Sequence, residues 1–532
     1  MKNRIKQYLL AASMCVGLTA CSDFFEPIPG VQFGLDETFA SKQRTEEYLN
    51  NVYSYVREVT DAIHPNTYGG IFTEASLDGA NRWNKTYAEW TNGSFNSASA
   101  QASEYFSKYY QAIAKASTFI QNVDKCTEAA ASTRGKWKSE ARALRAYYYF
   151  ELLRLYGPIP LIGEDPIPLD ASLEELIKER NSVDECVNFI ATELQSAIDS
   201  GDLLQRAGKA NLGRMDVATC MALKAKLYLY WASPLFNGNT DQASVKNKDG
   251  KQLFPQTEDN SKWAQARDAY ERFMTFATGQ GYKLTEVYTN GKLDPYASCR
   301  AAGEFFTTTW EAVDELIFVK LRDLYDYTYW VCPKFTDFQD TDVTGGGGYY
   351  TTQETVDLFF TKDGLTIEED PGYDKFEGIP GANNFTSGRY YDPNNPSRLY
   401  FDADKSKVLK QWKDREPRFY VNITYSGSIW LNEGKYNEEM RTDFTNGANG
   451  TCGKSKASGD CPDSGYLIRR GAKASNNNGS KHFSPVLRLA DMYLGYAEAL
   501  CMCSDLDNAL TYLNKIRVRA GIPEYTFTAT AG

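Results

Sequence analysis

The chain has 532 residues, enough for one large core or for two or three smaller ones. Its 58 Lys and Arg against 69 Asp and Glu leave a net charge of -11, which argues against a nucleic-acid partner because phosphate binding relies on a cationic surface. The histidines number two, His64 and His482, remote in sequence, so a histidine-rich metal site is excluded and neither metal nor cofactor is expected.

The N-terminus reads MKNRIKQYLLAASMCVGLTAC, with Lys2, Arg4 and Lys6 ahead of an apolar run from about Tyr8 to Leu18. That run falls short of the roughly 20 residues that span a bilayer and has the layout of a secretory signal. Leu18, Thr19 and Ala20 before Cys21 resemble the bacterial lipoprotein signal. Residues 1–20 are accordingly read as a signal peptide and Cys21 as the lipidation site, its acyl chains holding the domain on a membrane without a spanning helix. Residues 21–36, with Pro27, Pro29, Gly30 and Gly34, suit a flexible tether.

Residues 37–532 are expected to form a single, mainly α domain, with a helical scaffold over about 37–332 and 481–532. Trp137, Ala141, Leu144, Tyr148, Leu152 and Leu155 recur at steps of three or four and predict an amphipathic helix ended by Gly157 and Pro158. MDVATCMALKAKLYLYWASP predicts a second helix, and SKWAQARDAYERFMTFA a third with Trp263, Ala266, Tyr270, Phe273 and Ala277 on one face. LRLADMYLGYAEALCMCSDLDNALTYLNKIRVRAGIP reads as two helices joined by a turn at Ser504 to Asp507. In it Leu494, Gly495, Tyr496 and Ala509 fit the tetratricopeptide pattern of a small residue packed between large ones, although no clean 34-residue period runs through the chain. From about 333 to 480 Gly, Asn, Asp, Thr and Pro dominate, as in GGGG at 345–348 and DPNNPS at 392–397. This stretch is read as loop-rich, mostly irregular structure laid over the helices, where binding residues usually lie.

Several motifs carry no function. ANGTCGKS at 448–455 approximates a phosphate loop, but neither a strand nor a helix flanks it, as that chemistry requires. Cys452 and Cys461 could staple a polar loop, and setting aside Cys15 and Cys21 leaves an odd number of cysteines without regular spacing. A glycosidase needs only two carboxylates about 5–10 Å apart, which keeps a surface hydrolase as the alternative function.

Two aromatic clusters are more informative. LDGANRWNKTYAEW at 77–90 interleaves Trp83, Tyr87 and Trp90 with Asp78, Asn81, Arg82 and Asn84, and RDLYDYTYWVCPKF holds Tyr325, Tyr327, Tyr329 and Trp330. An aromatic face covers the C–H face of a pyranose while Asn, Asp and Arg meet its hydroxyls. The candidate ligand residues are therefore Asn81, Arg82, Trp83 and Tyr87, with Tyr325, Tyr327 and Trp330. The competing reading is that these aromatics anchor loops to the helices.

Five stretches together, CSDFFE with FASKQRTEEYLNNVYSYV, SEARALRAYYYFELLRLYGPIPLI, TTQETVDLFFTKDGLTI, DREPRFYVNITYSGSIW, and LRLADMYLGYAEAL with LNKIRVRAGIP, resemble the RagB/SusD family of outer-membrane lipoproteins from Bacteroidetes. The resemblance implies tetratricopeptide-like helix pairs carrying a loop-rich ligand face. It further implies a non-enzymatic, surface-exposed, nutrient-binding lipoprotein. Such a protein would partner a TonB-dependent outer-membrane transporter and deliver an oligosaccharide to it, with a peptide as the alternative ligand. Members usually continue past the RAGIP stretch into a further helical segment, whereas this sequence stops at Gly532.

Overall fold

The computed structural model describes residues 34–57, 76, 79–81, 93–165, 167, 171–303, 314–322, 329–335, 345–375, 378–431, 440–445, 452, 460–472 and 482–526. The signal, Cys21 and most of the tether lie outside these residues. In chain order the first helices are α1 (Leu35–Ala40), α2 (Lys42–Tyr53), α3 (Ala100–Asn122), α4 (Ala131–Tyr156) and the single turn α5 (Leu173–Leu176). α6 (Val183–Asp199), α7 (Val217–Ala232), α8 (Ser261–Gly279) and α9 (Pro295–Gly303) follow. The short α10 (Gln353–Asp357) and α11 (Pro417–Asn422) come next, and α12 (Leu489–Met502) and α13 (Leu506–Ala520) close the scaffold. The long helices pack each on the next in the order α3, α4, α6, α7, α8, α12, α13. The architecture is mainly helical with paired helices and few short strands.

Local chemistry explains the helix ends. Ser182 and Glu185 form a reciprocal capping box at the start of α6, and the Asp216 carboxylate accepts from Thr219 N at 2.7 Å to cap α7. Gly157 takes φ 67° to end α4, a left-handed turn that favours glycine. On α8 the five residues assigned to one face, Trp263, Ala266, Tyr270, Phe273 and Ala277, are all buried.

α4 differs from the amphipathic stripe expected of it. Beyond the stripe it buries Glu140, Arg145, Tyr147, Tyr149 and Glu151, because α3 and α6 flank it and the Tyr147 ring meets Phe318 from another side. Its buried charges are paired. Arg145 donates from Nε and Nη2 to Glu193 at 2.9 and 2.5 Å and from Nη1 to Ser117, while Glu140 accepts from Tyr53 Oη and Arg214. Such pairing is what allows charge inside a core.

The short strands are β1 (Ala80–Asn81), β2 (Tyr288–Thr289), β3 (Lys292–Leu293), β4 (Leu316–Arg322), β5 (Tyr349–Tyr350), β6 (Arg389–Asp392), β7 (Asn395–Asp402), β8 (Ile423–Thr424), β9 (Leu467–Ile468) and β10 (His482–Arg488). β4 and β10 pair antiparallel from Leu316↔Arg488 to Arg322↔His482. This ladder closes the long excursion between them, so α12 returns to pack on α8. The excursion has apolar centres of its own. One gathers Trp412, Phe419, Tyr420 and Tyr425, with Tyr400 stacked on Tyr420 at 3.9 Å, and the other gathers Val331, Cys332, Tyr349, Trp430 and Cys452. Much of the tyrosine surplus is thus packing, each buried ring adding apolar area at about 25 cal/mol per Å2. Cys452 and Cys461, the candidate loop staple, are both buried, and Cys452 packs in the cluster that holds Cys332.

Candidate functional site

The glycine run at 345–348, read from sequence as loop, is an irregular stretch of backbone docked on residues 329–333. Its four N–H groups donate in turn to Pro333 O at 2.9 Å, Tyr329 O at 2.7 Å, Cys332 O at 2.9 Å and Trp330 O at 3.0 Å. Side chains are sterically excluded: a Cβ on residue 345 would lie 2.4 Å from two carbonyl oxygens, and one on residue 346 would lie 2.2 Å from the Trp330 indole. Gly345, Gly346 and Gly347 are what this approach demands.

The next two residues, Tyr349 and Tyr350, form β5 and pair antiparallel with β1, setting Asn81 opposite Tyr349 and Ala80 opposite Tyr350. β5 continues through Tyr350↔Leu467 to β9 and then to β8, so the sheet order is β1, β5, β9, β8. The segment Gly345–Tyr350 therefore joins Asn81 from the first sequence cluster to Trp330 from the second. Arg82, Trp83 and Tyr87, together with Tyr325 and Tyr327, lie outside the described residues, and Asn81 is placed by its backbone register.

Trp330 is half-buried, and the Tyr329 ring stands edge-on to it at 4.8 Å and 85°. Its buried side rests on the apolar centre of Val331, Cys332 and Trp430. Burial pushes the Cys332 thiol pKa up, with Cys452 adding to the rise. On the far side of the glycine run Lys334 makes an ion pair with Asp460, whose carbonyl would sit 2.9 Å from a Cβ at residue 347. Arg469 lies over the Trp430 ring at 5.7 Å, and burial lowers its pKa. The result is an aromatic corner, rigid from below and bordered by charged and hydrogen-bonding groups, suited to binding a flat amphipathic ligand. Neither the glycines nor Tyr350 is among the ligand residues expected from sequence. The signal for the glycines was available, since four in succession beside an aromatic run mark a close backbone approach.

Comparison with known proteins turns on both halves of the chain. Residues 315–532 match a profile described as the SusD family, and residues 32–229 match one described as starch-binding associating with outer membrane. The chain belongs to the SusD/RagB family. A SusD-like protein of Bacteroides ovatus is 27% identical over 175 residues, 32% of this chain, and the chain spans 30% of that relative's length. Among solved structures, BT4246 superposes with a TM-score of 0.71 at 24% identity, covering 92% of this chain and 84% of that one. A SusD-like carbohydrate binding protein from Bacteroides fragilis superposes with a TM-score of 0.60 at 18% identity, covering 92% and 81%. The second profile's description ties the family to starch binding and to association with the outer membrane, and the Bacteroides fragilis neighbour is itself described as a carbohydrate binding protein. Among the described residues of this SusD-family chain, no helix is long and apolar enough to cross a membrane, and no group of three His, Cys, Asp or Glu side chains is set to hold a metal ion.

Proposed function

We propose that this SusD-family protein captures an oligosaccharide outside the cell and passes it to a partner TonB-dependent outer-membrane transporter, held at the membrane by lipid on Cys21. The observation that supports the reading is that one rigid segment, Gly345–Tyr350, has Asn81 paired on one side and Trp330 packed on the other, one residue from each sequence cluster. A half-buried indole fixed by a docked glycine run loses little entropy on binding, which favours stacking against a sugar ring. Arg82, Trp83 and Tyr87, which follow Asn81, and Tyr325 and Tyr327, which precede Trp330, are assigned to the same ligand face. The peptide-binding alternative uses the same corner, and a surface hydrolase is the competing class.

The test is to run the purified domain, from residue 22 onward, through gels containing each of a panel of polysaccharides while assaying for new reducing ends. Retardation by one glycan class without new ends supports capture. Multiple turnover would make the protein an enzyme, and absence of retardation across the panel would return the peptide alternative. Co-purification of the lipidated protein with a transporter from detergent-solubilised outer membranes tests the second half of the reading.

A further inference from the structure

A cavity of about 390 Å3 lies apart from the aromatic corner, between α9, α11, α12 and α13. Its walls are mostly apolar, with Phe359, Phe360, Ala490, Leu494, Ile516 and Ala520 among them. Leu358 and Leu494 line it yet remain 72% and 43% exposed. Into this apolar chamber the fold brings Arg418, Arg488 and Arg519, with Arg470 also on its wall.

The carboxylates that meet these three are Glu416 and Glu315, and both are fully committed. Glu416 takes a bidentate contact from Arg418 and accepts Phe360 N at 2.9 Å. Glu315 accepts Nη1 of Arg519 through both oxygens, at 2.8 and 2.7 Å, and also Thr285 N at 2.7 Å. Arg488 is left with two long contacts, 3.4 Å to the same Glu315 and 3.5 Å to Ala302 O. Arg519, 5% exposed, keeps a buried Nε with no hydrogen-bond partner. Asp491, which also acts on Arg488, is held by Lys226 at 2.6 Å.

With Glu416 taken up by Arg418 and Glu315 by Arg519, Arg488 keeps only long contacts and Arg519 an orphaned donor at the wall. Burial, with the Arg470 charge next, lowers the Arg488 pKa to about 10. A buried donor without an acceptor and a guanidinium held only by long contacts to a shared carboxylate are each unfavourable, and one ligand relieves both.

We propose that this cavity is a second binding site, for a carboxylate borne on an apolar body: the carboxylate meets Arg488 and Arg519, and the body lies against Phe360, Leu494 and Ile516. A neutral glycan lacks both the charge and the apolar surface for it. The carboxylate is supplied by a free organic acid or by an acidic side chain on an apolar polypeptide segment, and the experiment separates these sources.

The experiment measures dissociation constants by calorimetry on the soluble domain for two matched pairs. The first pair is 4-phenylbutyrate and its amide. The second is a helical peptide with a Leu and Phe face and a central Glu, and its Gln counterpart. The acid of at least one pair is expected to bind about tenfold or more tighter than its neutral partner, the worth of a charge-assisted hydrogen bond. Arg488→Gln should remove that preference while leaving polysaccharide retardation unchanged, and Arg488→Lys should retain part of it. Preference in the first pair alone assigns a free acid, and in the second pair a polypeptide. Acid and neutral forms binding alike in both pairs, or a preference that survives both Arg488→Gln and Arg519→Gln, would overturn the proposal.

Discussion

Tyr270 of α8 lies so close over Gly495 of α12 that a Cβ on residue 495 would stand 2.2 Å from the phenol oxygen and 2.6 Å from the ring carbon bearing it. Tyr270 is 1% exposed and cannot swing away, and the neighbouring Tyr496 stacks on it at 6.2 Å and 13°. This contact is where α12, after the long excursion, rejoins the helical row. Gly495→Ala would gain up to about 1 kcal/mol in helix propensity but force an overlap that costs about 1–3 kcal/mol. With the full propensity gain subtracted, a net loss of up to about 2 kcal/mol in urea unfolding is expected. An alanine variant at least as stable as the parent would show that α8 and α12 separate readily.

Arg145 and Glu193 form the most deeply buried ion pair between α4 and α6, with side chains 0% and 7% exposed. Glu193→Gln leaves the Arg145 charge without compensation and should cost about 3–5 kcal/mol. Replacing both residues, as Arg145→Met with Glu193→Leu, should cost far less than the two single changes added together, because the uncompensated charge disappears. Chemical denaturation of the three variants checks this, and simple additivity would refute it.

Asp216 gives a pH signature. Burial lifts its pKa to about 6 against the ordinary 3.8, although Thr219 and Ala207 N–H groups pull it down. The folded state then binds the proton more tightly than the unfolded chain, so this group's contribution to stability falls as pH rises from about 4 to about 6. Asp216→Asn loses one of the two acceptor oxygens but no longer titrates. Its destabilisation should therefore be larger at pH 4 than at pH 7, by at most on the order of 2–3 kcal/mol. Urea midpoints of parent and variant at the two pH values decide the sign.

Trp330→Ala should lower glycan affinity by about 5- to 150-fold, the worth of about 1–3 kcal/mol of lost stacking, with little change in melting temperature. Trp83→Ala is expected to behave likewise. Gly346→Ala, which touches no ligand, should also weaken binding, because its Cβ would drive into the Trp330 indole. A large fall in melting temperature for Trp330→Ala with affinity retained would assign the indole to packing alone.

Cys21→Ala should leave the protein unacylated and release it from membranes. Fractionation after a high-salt wash is the measurement, and a variant that stays in the membrane pellet would contradict the lipid-anchor reading.

Periodicity is a local property, and the helices were legible for that reason. The apolar steps of α8, the small and large alternation around Gly495 and the capping box at Ser182 each lie within one element, so the residues that make the helix also announce it. The two aromatic clusters were visible as composition. The meeting of Asn81 and Trp330 at Gly345–Tyr350 was not, since strand pairing joins residues far apart in sequence and the glycines matter only through the Tyr329–Pro333 backbone against which they fit. Likewise α4 read as one stripe and is enclosed on several sides, because a partner on each face is supplied by other parts of the chain. The long contacts of Arg488 appear only once Glu315 is seen to serve Arg519 as well. Sequence alone determined which segments are helices, which stretch is loop-rich and which residues could meet a sugar. Tertiary structure decided their partners, because each such contact depends on the positions of several distant residues at once.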